Sequence, residues 1–104
     1  MAKTEYMITL DYFRAIRYAY SLDKISERIR SHGQTLLENG GSIQSEWKGD
    51  NASLYLQKLD VVADNLNTIS KNIQNTADTV RRVAKRTYDT EMASLEIARN
   101  RTYK

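Results

Sequence analysis

Cysteine and proline are both absent from the 104 residues. Without cysteine there is no disulfide framework and no thiolate metal site. Without proline, nothing interrupts a long helix from within. No run of about 18 apolar residues occurs, so no transmembrane helix is expected. Histidine occurs once, at His32, and has no His or Cys cluster to ligate with. It is expected to be a structural, partly buried residue. Glycine-rich phosphate loops, nucleophile elbows and metal-binding helix motifs are missing as well. The chain is therefore expected to be no enzyme, to hold no cofactor and no metal, and to have no small-molecule substrate. Met1-Ala2-Lys3-Thr4-Glu5 lacks the apolar core of a secretory signal peptide, so any export would use another route.

The composition is that of one small domain: 40% hydrophobic and 28% charged residues. Net charge is +3 but unevenly placed. Residues 81–104 carry seven cations against Asp89, Glu91 and Glu96, a net of +4, and the remainder sums to −1. A basic C-terminal segment suits nucleic acid, anionic lipid or an acidic protein. It also suits a plain solvated helix end, where the dipole favours cations.

The apolar residues step by three and four. Residues 1–7 carry little pattern and are expected to fray. From Ile8 onward, Leu10, Phe13, Ile16 and Tyr20 form one series. Leu22, Ile25, Ile29, His32, Leu36, Asn39 and Ile43 form a second, with the spacing of a seam against a partner helix. Gly40-Gly41 is expected to bend or fray the first helix near its end. After Asp50 the series runs Tyr55, Leu59, Val62, Leu66, Ile69, Ile73, Ala77, Val80, Ala84, Tyr88, Met92 and Leu95. There is no third apolar segment. The two stretches must therefore bury their stripes against each other, which predicts an all-α antiparallel two-helix hairpin.

The turn falls at Trp47-Lys48-Gly49. Gly49 can adopt a left-handed backbone, Asp50 can cap the next helix, and Trp47 can plug the end of the core. The expected organisation is a single domain over 1–104. Helix one covers about 8–46, the turn 47–49, helix two about 51–98, and a tail 99–104. With this turn and equal rise per residue, facing residues should have numbers summing to about 98. Leu36 would then meet Val62, Ile29 would meet Ile69, and Ile25 would meet Ile73. Helix one would cover helix two only to about residue 88. Residues 89–104 would project beyond it with an apolar stripe suited to docking. A thin hairpin buries little of its surface, and seven tyrosines suit a half-wet interface. The hairpin is accordingly expected to pair into a four-helix bundle.

Two long helices, a central Trp-x-Gly, and the lack of cysteine and of a signal peptide together resemble the WXG family. These are small ESAT-like hairpin proteins of the type VII (ESX-like) secretion system. The resemblance covers essentially the whole chain. It implies a secreted protein, cytoplasmic before export, that acts as substrate, effector or toxin-targeting chaperone. Its partners would be a similar hairpin, as homodimer or heterodimer, the helical N-terminal part of a larger toxin, and the secretion ATPase. Trp47 and Gly49 match the turn motif. The family's C-terminal signal, Tyr-x-x-x-Asp/Glu, is matched only in part. Tyr88 has Glu91 three residues on and Met92 in the acidic position, and Tyr103 lies too near the end. Tyr88, Glu91, Met92 and Leu95 are the expected recognition residues. Outside that system, the alternatives are a nucleic-acid-associated helical protein or a structural coiled-coil adaptor that uses the basic end.

Overall fold

A computed structural model describes residues 3–102, with side chains described for all of these but Ser45 and Thr102. The expectations placed on Met1, Ala2, Tyr103 and Lys104 lie outside the described residues. The fold is all-α, a hairpin of two long helices: α1, Glu5–Glu46, and α2, Asp50–Thr102. Asp23–Gln74 forms one compact unit, holding the turn. The described parts of Met1–Leu22 and Asn75–Lys104 form the other.

Both helices are longer than the apolar pattern predicts. The Thr4 side chain accepts a hydrogen bond from the Met7 amide at 3.2 Å, and its carbonyl accepts one from Ile8 at 3.0 Å. Thr4 is thus an N-cap, and the acidic Glu5 follows in the first turn, where the helix dipole favours it. This starts α1 ahead of Ile8. The chain turns at Gly49, whose φ of 116° suits glycine and few other residues. The Gly49 carbonyl accepts the first bond of α2, from Ser53 at 3.1 Å. Asp50, expected as the cap, instead stands inside the first turn of α2, where its charge still meets the dipole.

In the Asp23–Gln74 unit, every second position of the predicted seam, Ile29, Leu36 and Ile43 with Leu59, Leu66 and Ile73, is half-buried at the contact, and the alternate positions are displaced by one residue onto small side chains. The buried positions of α1 are Ser26, Gly33 and Gly40, and on α2 they include Ala63 and Ser70. Leu36 and Leu66 sit half-buried beside them, while Ile25, His32, Asn39, Tyr55, Val62 and Ile69 are exposed. Close approach is the physical reason. Interaxial distance is set by the side chains at the contact, and small ones bring the backbones together. A Cβ added at Gly33 would lie 3.6 Å from the Ala63 carbonyl oxygen and from the Leu66 Cβ. At Gly40 it would lie 3.3 Å from a Leu59 methyl. Gly40 is therefore a packing residue, and α1 continues through Gly40-Gly41 to Glu46 without a break.

Two serines fix the register. Ser26 Oγ donates to the Ser70 carbonyl at 2.8 Å, Ser70 Oγ donates to the Ser26 carbonyl at 2.9 Å, and the hydroxyl oxygens are 2.8 Å apart. Both residues are fully buried. A buried hydroxyl without a partner is costly, so a slip of one residue would forfeit this reciprocal pair. The facing numbers, 26 and 70, sum to 96. That lies within one helical turn of the expected register. Beside the pair, Gln74 donates to Asp23 at 2.9 Å.

In the other unit, Ile8, Ala19 and Ala77 are buried. Tyr12 stacks at a tilt on Tyr88, with ring centroids 5.1 Å apart. The Lys3 amine sits 3.0 Å from both Asp11 and Glu91, and these carboxylates hold its pKa above the usual lysine value. Arg99 pairs with Glu5 at 3.0 Å. Phe13 and Tyr20, expected on the seam, are exposed.

Opposite signs are expected for two substitutions on the contact line. Gly33→Ala places its methyl at ordinary contact distance and removes a helix glycine, so stability should rise by about 0.5–1 kcal/mol. Ser70→Leu overpacks the closest approach and should lower stability by about 1–3 kcal/mol. Urea denaturation followed by circular dichroism reads both, and a neutral Ser70→Leu would contradict the small-residue contact.

Candidate functional site

Helix geometry explains what the close contact leaves outside. Each residue turns the helix by about 100°, so the residue before a contact position points to the side of the contact. In an antiparallel pair, these preceding residues point to the same side on both helices. Within Asp23–Gln74 they are Ile25, His32 and Asn39 on α1, with Tyr55, Val62 and Ile69 on α2. Ile25, Val62 and Ile69 remain 44%, 44% and 45% exposed. They flank the half-buried Ile29, Leu36, Leu59, Leu66 and Ile73, giving one apolar face. The opposite side carries the Asp23–Gln74 hydrogen bond, with Arg30, Asn67 and Asp64 around a shallow cleft beside Gly33. One flank of the Asp23–Gln74 unit therefore carries Ile25, Tyr55, Val62 and Ile69 beside the polar His32 and Asn39, and the other is mostly polar, with Leu37 its one large apolar residue at the cleft.

His32, expected as a partly buried seam residue, is exposed on the apolar flank. Its position one residue before Gly33 accounts for the displacement. The spacing of large apolar residues does not mark Ser26, Gly33, Gly40, Ala63 and Ser70. The signal that marks them is a recurrence of small residues every seven positions, 26–33–40 and 63–70, which a search for large apolar residues does not register.

At the turn, Trp47 is 45% exposed and packs against Tyr55, with ring centroids 5.8 Å apart. Its amide donates to the Ile43 carbonyl at 2.8 Å, extending the α1 ladder past Glu46. Trp47 thus covers the hairpin end on one side and leaves much of its ring open. Gly49 supplies the bend beneath it.

The C-terminal residues Tyr88, Glu91, Met92 and Leu95 are all half-buried. The early start of α1 changes their setting. Tyr88 lies on Tyr12, and Glu91 pairs with Lys3, so both belong to the paired part of their unit. Leu95 lines a small cleft with Lys3 and Ile8. Beside it, Ile8, Ala15, Val80, Val83, Ala84 and Thr87 line an open apolar groove of about 410 Å³. The projection expected from residue 89 is therefore shortened. Arg99 is drawn back to Glu5, and Lys85 to Asp89 at 3.1 Å.

Among the described residues, no helix is long and apolar enough to cross a membrane. No group of His, Asp and Glu side chains among them is arranged to hold a metal ion. No protein-family model, curated protein or solved structure matches this chain.

Trp47 is about half exposed, so Trp47→Ala should cost about 1–2 kcal/mol, less than the ~3 kcal/mol of full burial. In the isolated protein its fluorescence should be accessible to iodide quenching. Complete protection from iodide would show a covered ring and contradict the open turn.

Proposed function

We propose that this hairpin acts by helix–helix association, as a small protein exported by, or targeting a partner to, a type VII (ESX-like) secretion system. The observation that carries the reading is the division of labour along the helices of the Asp23–Gln74 unit. Small residues close the hairpin on itself, and large branched residues beside them stay exposed at helical spacing. An apolar face of this kind is costly to leave in water and fits a second pair of helices, giving a four-helix bundle. The exposed Trp47 above Gly49 and the half-buried residues from Tyr88 to Leu95 supply two further places for recognition, one at the turn and one near the end of α2. The WXG resemblance connects such a hairpin to export without a signal peptide. Its partners in that setting are a sister hairpin or the helical N-terminal part of a toxin, and the secretion ATPase.

A role in nucleic-acid binding draws less support. Arg81, Lys85 and Arg99 each pair with a carboxylate, at 3.0, 3.1 and 3.0 Å, which lowers the charge offered to phosphate.

Export is tested in the native host by following the tagged protein in the culture supernatant. Trp47→Ala, and separately Met92→Ser with Leu95→Ser, should stop its appearance there while circular dichroism retains the helical signal. Undiminished export of both variants would contradict the proposal.

A further inference from the structure

The apolar flank of the Asp23–Gln74 unit is also one-sided in charge. Between residues 25–42 of α1 and 55–72 of α2, its outer rim is formed by Arg28, Thr35 and Ser42 on one helix and Lys58, Asn65 and Asn72 on the other. These positions follow from the contact line by the same rotation that places Ile25 and Val62. No carboxylate occurs on this flank or its rim within those limits, and Glu46 lies beyond them at the turn. The carboxylates Asp23, Glu27, Asp60 and Asp64 fall on the opposite side, together with Arg30 and Lys71, and Glu38 stands on the back of α1, away from both flanks. The sidedness rests on direct contacts as well, since Asp23 bonds Gln74 and Asp64 lines the cleft at Gly33 on that opposite side.

We infer that this flank docks an amphipathic helix whose apolar stripe is bordered by acidic residues, carried by a partner chain and not by a second copy of this one. Spacing identifies a helix as the occupant. Tyr55, Val62 and Ile69 recur every seven residues, the interval at which a helix presents matching side chains. Charge identifies the borders. Arg28 and Lys58 are exposed at the two edges, where facing carboxylates are attracted and facing cations repelled. Two copies laid flank to flank would set these cations against each other, with no acidic residue on either surface to answer them. The acidic side of a second copy offers no alternative, because it lacks the apolar stripe.

The inference rests on helix association as the mode of action proposed above, and it narrows the partner to an acidic one. Its test uses the full chain and two synthetic helical peptides. Both carry the same leucine stripe at heptad spacing, one bordered by glutamate and the other by lysine. Like charges keep each peptide from pairing with itself. Fluorescence anisotropy should show the glutamate peptide binding at least about 10-fold more tightly than the lysine peptide, a gap that closes as salt screens the rim. Val62→Glu with Ile69→Glu should weaken the glutamate peptide by about 100-fold, as loss of central anchors does. Asn67→Glu, on the opposite flank, should leave it unchanged. Arg28→Glu with Lys58→Glu should reverse the preference between peptides without touching the apolar contacts. Equal affinity for the two peptides overturns the inference, as does a dimer of this chain, stable at micromolar concentration, that uses this flank. Binding to vesicles of anionic phospholipid with no response to either peptide also overturns it, in favour of a lipid surface. Export is read in a separate experiment, so failure of the peptides leaves the export reading standing, and failure of export leaves the docking result intact.

Discussion

The reciprocal hydrogen bonding of Ser26 and Ser70 is the constraint from which the rest of the Asp23–Gln74 unit follows. Each hydroxyl reaches a carbonyl of the other helix at 2.8–2.9 Å, which is possible only where the two backbones come close. Gly33 and Ala63 keep the approach close on the turn side of the pair. Had these positions held leucine, the axes would separate, and the flanking isoleucines and valines would be drawn into the gap. With the helices held close, those larger side chains stay at the edge, and an apolar flank remains on the surface.

A hairpin of this construction is specific before it is stable. Buried alanine, serine and glycine contribute little hydrophobic free energy, because they bury little apolar area. Their contribution is to define one register, through polar groups that are all satisfied among the described residues. A helix of such length is marginal in water when its apolar face is partly open. A partner that covers Ile25, Val62 and Ile69 would add burial that the hairpin itself lacks. Structure and proposed function are linked by that shortfall.

Much of this was legible in the sequence. The two helices, the antiparallel turn at Trp47-Lys48-Gly49 and the approximate register follow from the three–four spacing and the single break at Gly49. Half of the contact line, Ile29 and Leu36 against Leu59 and Leu66, was legible from large residues, and the half made by small residues was not. Ile25, Val62 and Ile69 obey the spacing of a seam, and so do Ser26, Ala63 and Ser70 one position later. Apolar periodicity cannot choose between two adjacent stripes, because it scores size and not closeness of approach. Gly40-Gly41 misled for a related reason. A glycine lowers helix propensity, but at Gly40 the close approach of Leu59 accounts for it. The start of α1 was carried by Thr4 as a cap, a polar signal ahead of the apolar pattern. Of the candidate site, Trp47 and Gly49 stand between α1 and α2, at the turn that the spacing marks. Tyr88 and Glu91 have intramolecular partners in Tyr12 and Lys3 that no local spacing reveals.

The central claim is that the small residues at 26, 33, 63 and 70 mark the closest approach of the helices and leave Ile25, Val62 and Ile69 on a free flank. Cysteine pairing tests it directly, because the chain contains no cysteine of its own. Ser26→Cys with Ser70→Cys should close an intrachain disulfide under mild oxidation, since bridging requires Cα atoms within about 7 Å. Ile25→Cys with Ile69→Cys, on the outer flank, should remain as free thiols under the same conditions. Preferential bridging of the 25–69 pair would place the large residues at the contact and contradict the account.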